Sequence, residues 1–151
     1  MNHVPHQLHI VLQCMQMLTK HPSVVVFFIG LDGVYRICQG KPLRLLKPAL
    51  PCMVGRHIAD VLHGERDVLK YAEIALGGTA FDTMVELRGR VFHTFYEPIR
   101  DSHSTLQGTL GIANDITERV ALAAELAQVR ERMASQAAAM LQLVHPGADV
   151  T

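Results

Sequence analysis

Apolar residues at Leu8, Val11, Leu12, Met15 and Leu18 recur every three or four positions, which predicts an amphipathic helix over roughly residues 5–19. His21-Pro22-Ser23 interrupts that pattern. The run from Val24 to Leu31 is almost continuously apolar and β-branched, and predicts a strand. Asp32-Gly33 is a turn signal, and Val34 to Cys38 predicts a second strand that closes a β-hairpin. Gln39 to Val54 carries three prolines and no sustained period, so only short helical turns are expected there. Gly55 opens a short helix through Leu62, and Glu65 to Leu76 predicts a longer one that Gly77-Gly78 terminates. Strands follow at roughly 80–87, 91–100 and 108–114. Arg88-Gly89-Arg90 turns between the first two, and Asp101 to Gln107 loops between the last two. A final helix is predicted over roughly 116–143, ahead of His145-Pro146-Gly147.

Five strands with helices between the second and third define an α+β domain. Its last strand runs into the last helix at Asn114-Asp115. Asp115 suits the N-cap of that helix, with Glu118 three residues on as its capping-box partner. The helix itself carries heptad spacing. Leu122, Val129, Gln136 and Leu143 fall on one position, and Leu126, Met133 and Met140 on the other. A parallel coiled-coil homodimer is expected, with Gln136 weakening its seam. A single helix folded back on its own domain is the other reading of the same pattern.

Composition narrows the function. The chain has 151 residues, 49% of them hydrophobic, and a formal net charge of zero. That balance suits one packed domain with a helical extension and argues against a nucleic-acid surface. No apolar run approaches the roughly 20 residues a membrane helix needs, and no signal peptide is expected. Cys14, Cys38 and Cys52 are an odd, scattered set without CxxC spacing, which fits reduced thiols in the cytoplasm. His3, His6 and His9 have helical metal spacing, but no Cys or acidic residue completes a set, so solvated histidines and no metal are expected. No phosphate loop, HExxH or nucleophile elbow is present.

Several short stretches resemble the PAS family. They are Leu31-Asp-Gly-Val-Tyr35, Val54-Gly-Arg56, Ala75-Leu-Gly-Gly78, Glu97-Pro-Ile-Arg-Asp101 and Gly111 through Arg119, which contains Asp115-Ile-Thr-Glu-Arg119. They span roughly 23–119 in the family's order. The resemblance implies a five-stranded antiparallel sheet in order 2-1-5-4-3. One sheet face and the inserted helices would enclose a pocket. By the family pattern Phe27, Ile29, Leu31, Met84, Glu86, Phe92, Thr94, Tyr96, Gly111 and Ala113 point inward, and Val61, Ala72 and Leu76 close the pocket from the helices. These side chains either fill the core or line a ligand site. Small residues at Gly111 and Ala113, and polar ones at Glu86, Thr94 and Tyr96, favour a site.

Family cofactors are tested by the same residues. Flavin-binding members carry a reactive Cys where this chain has Ile58, and Phe92 and Ala113 replace the flavin-binding amides, so a flavin is not expected. Oxygen-sensing haem members place a His near the position of Asp67, where none exists here. Haem is disfavoured too, although His57 and His63 flank the pocket entrance.

The chain therefore divides into an N-terminal amphipathic helix (1–22), a PAS domain (23–116), a coiled-coil signalling helix (117–144) and a tail (145–151). The expected function is that of a bacterial cytoplasmic sensor. It would bind a small ligand or partner and transmit its state through Asp115, Ile116, Thr117, Glu118 and Arg119. The signal would pass along a dimer seam of Leu122, Leu126, Val129, Met133, Gln136 and Met140 to a histidine kinase or other effector. A ligand-free dimerisation module is the alternative. A small enzyme using Glu86 as a base beside Tyr96 is a weaker one.

Overall fold

In the computed structural model, residues 3–144 are described, with side chains from Leu8 onward. The expected tail and the side chains of His3 and His6 lie outside the described residues. The chain divides into two compact units that meet between Ile116 and Thr117.

The first unit begins with α1 (His3–Lys20), which contacts β1 (Val24–Gly30). Next come β2 (Tyr35–Gln39), a 3-10 turn at Lys41–Leu45, α2 (Ile58–Val61) and α3 (Arg66–Leu76). The strands β3 (Phe81–Leu87), β4 (Arg90–Arg100) and β5 (Leu106–Asp115) complete it. All five strands form one sheet in the order β2-β1-β5-β4-β3, antiparallel throughout. This is the α+β architecture and strand order expected from the sequence.

The β1–β2 connection is a tight turn. Gly33 has φ +78, and its N–H donates to the Gly30 carbonyl at 2.9 Å. The Asp32 carboxylate accepts from the Val34 N–H at 3.1 Å, which is the reason a short acidic residue suits the position. The 53–58 segment is pinned beside this hairpin. Tyr35 N–H donates to Arg56 O at 3.0 Å, and Ile58 N–H donates to Gly33 O at 2.8 Å. His57 caps α2, its Nδ1 accepting from Ala59 N–H at 3.0 Å.

The β3–β4 turn corrects the register. A three-residue turn at Arg88-Gly89-Arg90 would place Met84 and Glu86 on the inner face. The actual loop is two residues long, with Arg88 at φ +46 and Gly89 at φ +87, and Leu87 pairs with Arg90. Val85 then pairs with Phe92 and Thr83 with Thr94. One residue fewer in a hairpin loop exchanges the two faces of the strand. Met84 (64% exposed) and Glu86 therefore face outward, and Val85 and Leu87 are buried in their place. Leu31 also departs from expectation. β1 ends at Gly30, so Leu31 lies in the turn and is exposed.

Arg88 is a side chain the sequence did not mark. Its Nε donates to Glu65 at 2.9 Å, and its Nη1 donates to the carbonyls of Pro48 and Ala49 at 3.1 and 3.2 Å. Its own carbonyl accepts from Lys47 N–H at 3.1 Å. One guanidinium thus ties the hairpin to the 47–49 loop and to the start of α3. Charge-assisted bonds of this kind contribute about 1.5–3 kcal/mol. Arg88→Ala loses them and keeps the left-handed backbone, which costs about 1–2 kcal/mol without glycine. Arg88→Gly loses the same bonds but relieves the backbone. Urea denaturation is expected to rank wild type above Arg88→Gly above Arg88→Ala. Equal stability of the two variants would mean that the backbone is not strained.

The second unit is α4 (Thr117–Val144). Leu122, Leu126, Met133, Gln136, Met140 and Leu143 are all exposed along it, and Val129 is half-buried. No helix among the described residues is long and apolar enough to cross a membrane.

Candidate functional site

The inner face of the sheet is built by strand alternation. Val25, Phe27 and Ile29 of β1 point towards α2 and α3, as do Val85 and Leu87 of β3, Phe92, Thr94 and Tyr96 of β4, and Ala113 of β5. Between them lies a cavity of about 60 Å³. Tyr35, Cys38, Leu43, Met53, Leu62, Val68 and Ala72 complete its wall. Among the described residues, no Asp, Glu, Lys, Arg or His lines it.

Of the expected pocket residues, Phe27, Ile29, Ala72, Phe92, Thr94, Tyr96 and Ala113 line this cavity. Val61 and Leu76 instead pack within and against the surrounding core. Gly111 does not leave room for a ligand. A Cβ built there would fall inside the Phe27 ring, so the glycine makes space for that aromatic side chain. Leu31, Met84 and Glu86 are not part of the wall. Glu86 and Tyr96 lie on opposite faces of the sheet, so the acid–base pair of the enzyme reading is not assembled.

The aromatic wall is ordered by ring packing. Phe27 meets Tyr35 and Tyr96 edge to face at 6.2 and 5.8 Å, and Phe81 stacks on Tyr96 at 4.8 Å. Burial holds both phenols well above the usual range, with smaller contributions from neighbouring ionisable groups. Cys38 Sγ donates to Met53 Sδ at 3.2 Å. Burial, and then the neighbouring Cys52, push the Cys38 thiol up to about 12. The sequence offered no signal for Tyr35, Cys38 and Met53, because the hairpin and the irregular 40–54 segment carry them to the wall.

A pH dependence follows. Below about pH 8.5 the Cys38 thiol is neutral in both folded and unfolded chains. Above it the unfolded chain releases a proton that the folded protein retains. Stability therefore falls as pH rises towards 12, by up to about 1.4 kcal/mol per pH unit for this group. The tyrosines add to the fall above about pH 10. Urea titrations between pH 8 and 10 should show a decline in the wild type that Cys38→Ala largely removes.

Beyond the cavity wall, β4 and β5 carry a charge pair. Arg90 donates to Asp115 Oδ2 through Nε at 2.9 Å and Nη2 at 2.8 Å. The side chains are 17% and 3% exposed. Asp115 is the cross-strand partner of Phe92, and it lies two residues beyond Ala113, so both strands run directly from the cavity wall to this pair. Asp115 N–H donates to Ser23 O at 2.7 Å, and Ile116 N–H donates to Val91 O at 2.8 Å. The strand end is thereby tied to the segment before β1 and to β4.

The histidines of the haem test are elsewhere. His57 packs over Gly33 in its capping role, and His63 is exposed; neither lines the cavity. His9 is exposed on α1.

No sequence-family model and no curated protein matches the chain. Solved structures do. The PAS domain of BvgS from Bordetella pertussis is 24% identical over 80% of this chain and 97% of that domain, with a TM-score of 0.50. The PAS domain of the histidine kinase ThkA is 17% identical over 62% of this chain and 99% of that one, with a TM-score of 0.50. An RNA-binding light-oxygen-voltage receptor gives 18% identity and a TM-score of 0.53 over 82% of this chain, which spans 38% of the receptor. The chain has the PAS fold.

Proposed function

We propose that this chain is a sensory module, not an enzyme. It binds a small molecule in the inner-face cavity and passes occupancy through β5 into α4 of a homodimer, and so to a histidine kinase or another effector. One observation carries the reading. The cavity wall and the Arg90–Asp115 pair share the same two strands, and α4 begins two residues after Asp115. A ligand that displaces Phe92 or Ala113 acts on that pair directly. Asp115, Ile116, Thr117, Glu118 and Arg119 then form the transmission segment.

The homodimer is supported by apolar surface. α1 exposes Leu8, Ile10, Val11, Leu12, Met17 and Leu18, and its first charged residue is Lys20. α4 exposes all of its heptad positions except the half-buried Val129. A surface of this kind marks an interaction site. The cavity's size and lack of histidine favour a ligand far smaller than a flavin or haem. Cys14, Cys38 and Cys52, none of them disulfide-bonded, suit the cytoplasm.

Native mass spectrometry of freshly purified protein tests this. A dimer with extra mass that is lost on denaturation is expected. A bare dimer that binds no small molecule would favour a ligand-free dimerisation module. A monomer would remove the dimeric helix from the mechanism.

A further inference from the structure

We propose that the cavity takes an uncharged organic molecule of about four to six non-hydrogen atoms, with an apolar body and one oxygen acceptor, such as a short-chain ketone, aldehyde or alcohol. This inference rests on the ligand-binding reading above and specifies its chemistry. Size comes first. One water-sized occupant needs about 10–15 Å³ of such space, and the cavity offers about 60 Å³.

Charge comes second. Among the described residues no Asp, Glu, Lys, Arg or His lines the cavity, so a carboxylate or ammonium would lose its hydration without gaining a counter-charge. Cys38 supplies no anion either, because its thiol stays protonated and is engaged with Met53.

Polarity comes third. The side-chain hydroxyls of the wall belong to Tyr35, Thr94 and Tyr96. All three residues are buried and line the cavity. Each hydroxyl carries one O–H donor, and an oxygen acceptor on the occupant gives such a donor a partner inside an otherwise apolar wall. Phe27 and Phe81 pack on the Tyr96 ring and fix its position, so Tyr96 is the group that selects for that oxygen.

The test uses the full chain and four probes followed by NMR titration: 2-butanone, propionate, tetramethylammonium and xenon. Butanone is expected to bind saturably. Ala113→Leu, which fills the cavity, should weaken it at least tenfold, and Ala72→Val serves from the α3 side if the first variant does not fold. Tyr96→Phe should weaken butanone several-fold and leave xenon unchanged. Cavity-dependent binding of propionate or tetramethylammonium would overturn the ligand class while leaving the sensor reading intact. Xenon binding without butanone would overturn the oxygen-acceptor requirement alone. Unchanged butanone affinity in Tyr35→Phe, Thr94→Val and Tyr96→Phe would overturn the role of the hydroxyls. Failure of all four probes to bind in a cavity-dependent way would overturn both this inference and the ligand-binding reading.

Discussion

Asp115→Ala is expected to destabilise the first unit by about 3 kcal/mol, at the lower end of what breaking a buried ion pair costs. The sequence alone supports a smaller figure. Loss of an N-cap removes about 1 kcal/mol. The larger value follows from Arg90, whose guanidinium points two donors at the Asp115 carboxylate and is itself mostly buried. Without the carboxylate, that charge stays in a poorly solvated place. Arg90→Met should cost a similar amount, for the mirror-image reason. The double variant should cost clearly less than the sum of the two, because no uncompensated charge remains. Urea unfolding of the four proteins in the cycle measures this. If Asp115→Ala costs only about 1 kcal/mol and Arg90→Met nothing, the cap alone matters. The pair would then have no place in transmission.

The second large effect is expected at Gly111. Alanine is normally the better strand residue, by about 0.5–1 kcal/mol. At this position steric overlap with Phe27 outweighs that preference. Overpacking of a tight core typically costs about 1–3 kcal/mol, and the ring contact at Gly111 is close enough to put Gly111→Ala at the upper end. A fall in Tm of about 10 °C is expected for a unit of this size. Phe27→Leu in the same chain should recover part of the loss by withdrawing the ring. Recovery would show that the glycine serves the aromatic packing and not the ligand. A stabilised Gly111→Ala would mean that the ring moves freely, and the cavity would then be larger than it is here.

These two residues show where sequence reasoning reached and where it stopped. Gly111 was legible as a small residue on the inner face, because strand alternation along β5 requires only the period of two. What fills the space above it was not legible. That depends on the Phe27 side chain, which meets β5 through the β1–β5 pairing across more than eighty residues of chain. Asp115 was likewise legible as a helix-start residue, from local spacing. Its partner Arg90 was not, because the ion pair crosses from β5 to β4 and nothing near Asp115 announces it.

Met84 and Glu86 mark a different limit. Their alternation with Val85 and Leu87 was plain, but alternation does not say which set is inside. The loop length decides it, and Arg88-Gly89-Arg90 reads equally well as a turn of two or three residues. Arg88 holds the shorter loop through Glu65 and two carbonyls, all distant in sequence.

The periodicity of the chain by itself determined the order and type of the elements, from α1 through the five strands to α4, because those patterns are local and each burial face repeats within a few residues. The resemblance of short motifs supplied the sheet order. Only the tertiary structure decided which face of β3 is buried, that Phe27 occupies the space above Gly111, and that Tyr35, Cys38 and Met53 join the cavity wall. It alone set the cavity at about 60 Å³. A void is what remains after side chains from separate strands and loops have packed, so its volume and lining follow from how those segments meet in space and not from any one of them.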